Sequence, residues 1–421
     1  MQRLFKPTYF SVPLIAFYSL VILGSSYRYL RIVFQDLNYF PYLVEVLLWG
    51  LVVLKLLTLK RFVADKVDFL MLLALLLATV SFFVLSMRYG VNTQLVFFAT
   101  YALPLSVYFY VKSNPRINVH VFDSLLKLFT VLGVPLLCFE FYTTNYSGVN
   151  LFSFASYWEE GGVEGFHAST TYYAFLGQLT RPWGLMAMPQ STGSVFAGLG
   201  VYFFAKYFFL DREFRRFSDL IYLVLCLLAV YLSGSRTAIV VLALILLFIF
   251  RNQTIFLLIS AGFGALMLAT FVFTTEVSLS GFSNIFSSFV DGLTINSFER
   301  LVDLLFGQGL NSISGRVIIG IDEMHLINHL FYTGVFMYLI LVFITYFLIR
   351  VYSRSLSKKH HLDFSKEYRA HYIAYILLVF TLILGALHYD PLMRYPSNVI
   401  VLSVLAIMSR DGLYTNERIL P

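Results

Sequence analysis

The run FLMLLALLLATVSFFVL, residues 69–85, carries no charged side chain and shows no alternation of polar and apolar positions. A strand of a membrane-spanning barrel would alternate. A continuous apolar run instead reads as a helix, and the span it belongs to, 67–86, is long enough to cross a hydrocarbon core of roughly 30 Å. Runs of this kind recur from end to end, and in lipid each must satisfy its own backbone polar groups, which a helix does. Twelve spans are read, at 9–27, 42–59, 67–86, 95–112, 121–142, 192–210, 218–234, 237–250, 254–273, 326–349, 372–388 and 397–409. The chain is 59% hydrophobic and 13% charged, whereas soluble domains carry about 25% charged residues. The expectation is an all-α polytopic integral membrane protein with about 12 transmembrane helices, residues 1–421 forming a single transmembrane domain. No cleavable signal peptide is expected, because the first apolar run lacks a small-residue cleavage site and more spans follow. Cys138 and Cys226 both fall inside apolar runs and say nothing of redox compartment.

A net charge of +7 invites a nucleic-acid partner, but basic cytoplasmic loops are the ordinary cause in a membrane protein, and no nucleic acid is expected. An even number of spans puts both termini on one side. With the termini in the cytoplasm, Arg28, Arg31, Arg88, Arg181, Arg236, Arg300, Arg316 and Arg394 face outward and the other 22 of the 30 basic residues face inward. That is a clear positive-inside bias. Every lysine lies inward, so the outer face is basic through arginine alone. Arginine differs from lysine in its planar fork of donors, which grips phosphate or carboxylate bidentately.

Two outward loops, 143–191 and 274–325, are long, and loops of that length are usually functional. In the second, Phe298, Leu301, Val302, Leu305 and Phe306 share a helical face opposite Glu299, Arg300 and Asp303. This is a short amphipathic helix that either packs over the bundle or roofs a lipid-facing cleft. Arg181 precedes span six in RPWGLMAMPQSTG, where Pro182 and Pro189 break helices and Gln190-Ser191-Thr192-Gly193 opens the next one. Arg236 follows the break Ser233-Gly234-Ser235 and also sits at a helix start. Free N–H groups at a helix start make an anion site, so the two arginines form a plausible pyrophosphate clamp; the plainer alternative is that each snorkels to lipid headgroups. Arg316, Asp322, Glu323, His325 and His329 cluster before span ten. The His325/His329 spacing suits a metal, but no third ligand has recognisable spacing, so no metal is assigned. His325, beside the carboxylates, is the better proton acceptor. His388 and Arg394, near Asp390 after span eleven, are further outward groups available to a substrate, as are Arg300 and Arg316.

The P-loop, GxGxxG, HExxH and GxSxG motifs are absent, as is an Asp-x-Asp nucleotide-sugar motif. Outward arginines without a nucleotide motif point to a phosphate-bearing lipid donor. RPWGLMAMPQSTGSVFA (181–197), SGSRTAIVVLALI (233–245), FERLVDLLFGQGL (298–310) and DEMHLINHLFYTGVFMYLIL (322–341) carry a resemblance. On these segments and their order, the chain resembles the O-antigen polymerase and O-antigen ligase superfamily, integral membrane glycosyltransferases of the Gram-negative inner membrane. The resemblance covers most of the chain after about residue 170.

The resemblance implies a GT-C-like helical fold, undecaprenyl-pyrophosphate-linked oligosaccharide donor and acceptor, and metal-independent inverting transfer on the periplasmic side, without a cofactor. It makes Arg181 and Arg236 the pyrophosphate-binding pair and gives the proton of the attacking hydroxyl to His325 or Glu323. Membrane lipids, a chain-length regulator and a flippase are the implied partners. Ligases usually start the span after the large loop with His-Asn; here Glu323 holds that place, which favours a polymerase. Ligase remains the nearest alternative. A lipid-linked oligosaccharide flippase is the alternative from another class, and it would call for charges at mid-depth. Within the spans, Glu45, Glu140 and Lys127 are the few candidates.

Overall fold

The structure is a computed structural model that describes residues 66–89, 103–147, 189–211, 215–250, 297–307, 333–340, 366–385 and 397–417, most of 171–186, and scattered positions elsewhere. The described chain is largely helical. Its helices are α1 (Lys66–Tyr89), α2 (Leu103–Lys112), α3 (Val119–Tyr142), α4 (Pro189–Phe209), α5 (Phe217–Ser233), α6 (Arg236–Phe250), α7 (Phe298–Phe306), α8 (Lys366–Gly385) and α9 (Ser397–Glu417). A single π turn, Thr143–Ser147, continues α3. These helices coincide with the spans read at 67–86, 121–142, 192–210, 218–234, 237–250, 372–388 and 397–409, and with the second half of 95–112. The span at 254–273, and that at 42–59 apart from Gly50, lie outside the described residues. The long loop before α4 departs from an all-helical reading. It contains an antiparallel hairpin of β1 (Thr171–Ala174) and β2 (Gly177–Thr180), with Thr171 opposite Thr180 and Ala174 opposite Gly177. Its Tyr and Thr residues favour strand over helix.

Local chemistry sets the helix ends. Asn118 caps α3 by accepting from the Val121 amide at 3.0 Å, and Ser297 caps α7 by accepting from the Arg300 amide at 3.1 Å. Gly234 ends α5 at φ 59°, a left-handed conformation that glycine takes without steric cost. Ser235 then caps α6, accepting from the Ala238 amide through its side chain and from Ile239 through its carbonyl. The turn between α5 and α6 is therefore as short as the Ser-Gly-Ser sequence allows.

α4 forms the centre. Pro189 through Phe203 are all buried, and a helix apolar all round belongs inside a bundle. It packs against α5, α8, α6 and α3. Glycines let those partners approach closely. A Cβ on Gly198 would lie 2.9 Å from Leu378 of α8, and one on Gly200 would lie 3.4 Å from Cys226 of α5. On α3, Gly133 receives the Phe196 ring, 2.8 Å from where a Cβ would sit.

The bundle is apolar on its outside as well. On α1, Met71, Ala74, Ala78 and Leu85 are buried, while Phe69, Leu72, Leu76, Phe83 and Met87 on the other face are exposed. α5 repeats the pattern with Phe217, Ile221, Val224 and Tyr231 exposed. Apolar stripes of this length are a surface for lipid or protein, not water. Two stretches, Val67–Arg88 (22 residues) and Val119–Ser147 (29 residues), are long and apolar enough to cross a membrane. Phe217–Ser233, Thr237–Ile249, Arg369–Gly385 and Ser397–Arg410 are shorter apolar helices.

Candidate functional site

The helices run up and down, so their contacts sort into two ends. At one end lie the start of α1, the end of α2, the start of α3, the end of α4, and the starts of α5 and α8. This is the lysine end. Lys206 of α4 pairs with Asp123 of α3 at 2.7 Å and Asp219 of α5 at 3.3 Å. Lys127, one turn beyond Asp123, pairs with both carboxylates at 3.0 Å. Tyr202 donates to Asp123 at 2.9 Å, and its hydroxyl lies 3.2 Å from Nδ1 of His371 on α8. The Tyr202 ring stacks on Tyr375, whose hydroxyl donates to the Val119 carbonyl at 3.2 Å. Two ammonium groups and two carboxylates, with Asp219 fully buried, thus join α3, α4 and α5 with no net charge. A second cluster joins three more. Lys112 of α2 pairs with Asp68 of α1 at 2.6 Å and donates to Ser409 of α9 at 2.9 Å, and Tyr108 donates to Asp68 at 2.8 Å. Arg410 donates to the Val111 and Asn114 carbonyls.

The opposite end carries arginines. α1 is 24 residues long, so Arg88 lies about 30 Å from Asp68 at 1.5 Å per residue. Arg88 pairs with Asp303 of α7. Burial raises the Asp303 carboxyl above its ordinary pKa, and the Arg88 guanidinium opposes that rise. Phe306 of α7 meets Phe336 edge-on, and Gly334 (φ 77°) touches the backbone at Leu305 and Gly307, leaving no room for a Cβ. α7 is the predicted amphipathic helix, with Asp303 of its polar face turned to Arg88 of α1 and Phe298 left 79% exposed.

The first turn of α4 lies between the two segments that carry Arg181 and Arg236. On one side is the loop that follows β2. There Gly184 adopts φ 63°, its amide donates to Glu140 Oε2 of α3 at 3.0 Å, and a Cβ would lie 2.7 Å from the Thr192 methyl. On the other side is the α5–α6 turn, where a Cβ on Gly193 would lie 2.5 Å from Ser235 Cβ and 2.6 Å from Ser233 Oγ. Thr192 and Gly193 are neighbours in sequence, so one helix start sets the spacing of both segments. Around it Gln190, Ser191, Thr192, Ser194, Ser233 and Ser235 are all buried, a concentration of uncharged polar groups at this end of the bundle. Arg181 is half-buried just before Pro182, and Arg236 is the first residue of α6. Backbone amides of a helix start, hydroxyls and two arginine-bearing segments make a setting suited to an anion.

The structure therefore brings together the segments of Arg181 and Arg236. Arg300 lies on α7 at the same end, and it is Asp303 and the C-terminal turn of that helix that meet Arg88 of α1 and Gly334. Glu323, His325, Arg316, His388 and Arg394 lie outside the described residues. Among the described residues, no group of three His, Cys, Asp or Glu side chains is placed to hold a metal ion. The sequence reading missed the four-charge cluster and Glu140's grip on the Gly184 turn. Its available signal was positional: Asp123, Lys127, Lys206 and Asp219 each sit in an apolar run within two turns of the same end. The chain matches no family profile, no curated protein and no solved structure.

Proposed function

We propose that this protein is a polytopic bacterial inner-membrane glycosyltransferase. It joins undecaprenyl-pyrophosphate-linked repeat units into O-antigen or a related surface polysaccharide on the periplasmic face. The observation that carries this reading is the start of α4, flanked by the segments of Arg181 and Arg236. The lysine end is the cytoplasmic one in the twelve-span arrangement, with both termini there, which agrees with lysine's place in topology and arginine's in phosphate recognition. The apolar stripes of α1 and α5 suit lipid contact along the bundle.

In the proposed reaction, the acceptor sugar hydroxyl attacks the anomeric carbon of the donor from the face opposite the pyrophosphate. The bond from that carbon to the pyrophosphate oxygen breaks as the new glycosidic bond forms, inverting the centre. Arg181, Arg236 and the α4 amides stabilise the charge that builds on the leaving pyrophosphate, a role worth about 10²–10³ in rate for one well-aimed donor. The hydroxyl proton passes to Glu323 or His325, the sequence's candidates for the base.

A second reading, a lipid-linked oligosaccharide transporter, draws on the buried Asp123–Lys127–Lys206–Asp219 cluster with His371, since intramembrane ionisable groups often serve transport. One assay separates the two. Purified full-length protein in liposomes is given lipid-linked repeats without nucleotide, and products are resolved by size. The polymerase reading expects a ladder. Movement of the lipid across the bilayer with no ladder favours the transporter. Deleting the gene separates polymerase from ligase: single capped repeats survive loss of a polymerase, whereas loss of a ligase removes all attached O-antigen.

A further inference from the structure

Glu140 is a buried acid close to the arginine end, 2% exposed, two residues before α3 ends. A carboxylate there would oppose an anionic ligand unless it had another task. It accepts from the Gly184 amide at 3.0 Å. Gly184 is held on two further sides, by Leu137 Cδ1 and by Thr192, both within 2.9 Å of its would-be Cβ. Its φ of 63° is one that side-chain-bearing residues adopt with difficulty. Arg181 stands three residues earlier in the chain, so its backbone is tethered within about 10 Å of this turn.

We infer that Glu140 is a positioning residue for Arg181, fixing the arginine's loop against the start of α4 through the Gly184 amide. The inference rests on the reading of Arg181 as a pyrophosphate ligand. What matters is the reach of the side chain to that amide more than its charge. Glutamine keeps both the length and an acceptor oxygen; aspartate keeps the charge and withdraws the acceptor by one methylene. Glu140 thereby links three pieces: α3, the loop that follows the hairpin, and the helix start that also spaces Arg236.

Two measurements on full-length protein in nanodiscs test this. Hydrogen exchange at the Gly184 amide reads the contact itself. Glu140→Asp and Glu140→Ala should exchange about tenfold faster or more, as expected for loss of one buried hydrogen bond, while Glu140→Gln stays close to the parent protein. Affinity for undecaprenyl pyrophosphate should fall about tenfold in Glu140→Asp and little in Glu140→Gln. Retention by both variants, or loss in Glu140→Gln with retention in Glu140→Asp, overturns the inference, the latter because charge would then be the operative property. Arg181→Ala separates the two claims. It should leave Gly184 protected and abolish the Glu140-dependent affinity. If it keeps full affinity, the pyrophosphate reading falls while the exchange data still report on the loop.

Discussion

Near the start of α3, Asp123 and Lys127 belong to a network in which two ammonium groups serve two carboxylates across α3, α4 and α5. Near its other end, Glu140 makes a hydrogen bond to a loop amide, and the neighbouring contacts are glycine against serine and threonine. The same helices are fastened by charge at one end and by close packing of small residues at the other. The lysine cluster is neutral as a whole and turned on itself, which suits a fastener. The arginine end keeps hydroxyls and a helix start together where a ligand could meet them. A protein that must hold a phosphate-bearing substrate gains from this division: the rigid end need not move when the other end binds.

The largest effect should come from breaking the lysine cluster. Asp219→Ala leaves an uncompensated buried ammonium and should cost about 3–5 kcal/mol, seen as a large drop in melting temperature of the detergent-solubilised protein. Adding Lys206→Met to that variant should restore part of the loss, because members of one network are not additive. If Asp219→Ala melts like the parent, the cluster is no fastener. Gly193→Val should cost less stability, about 1–3 kcal/mol for overpacking against Ser233 and Ser235. It should still abolish polymer formation, since it forces apart the segments of Arg181 and Arg236. An intact glycan ladder from Gly193→Val at parental protein level would count against that spacing. Smallest is Arg88→Ala. A partly exposed ion pair contributes about 0.2–1 kcal/mol, so melting should hardly change while protease access to the α7 segment rises.

The helices were legible because each is a long apolar run ended by local signals. Asn118, Gly234, Ser235 and Ser297 cap or stop helices by chemistry that involves only near neighbours, and α7 begins and ends where its amphipathic pattern does. The start of α6 at Arg236 was readable for the same reason. The lysine cluster was not. Asp123 and Lys127 are spaced to pair on one helix, but nothing in a uniformly apolar span says which face meets which neighbour. The convergence of Lys206, Asp219 and His371 is therefore a tertiary fact. Glu140 was visible as a charge within a span, and its purpose was hidden because its partner is a backbone amide more than forty positions away. The hairpin of residues 171–180 was also unread, its strands being four residues each.

The central claim is that the segments on either side of the α4 start act as one pyrophosphate site. It is tested most directly by titrating undecaprenyl pyrophosphate into purified full-length protein and comparing Arg181→Ala, Arg236→Ala and the double variant. Each single change should weaken binding about tenfold or more, as loss of a charge-assisted contact does. The double variant should lose less than the product of the two, with melting temperatures near the parent's. Parental affinity in both single variants would contradict the account.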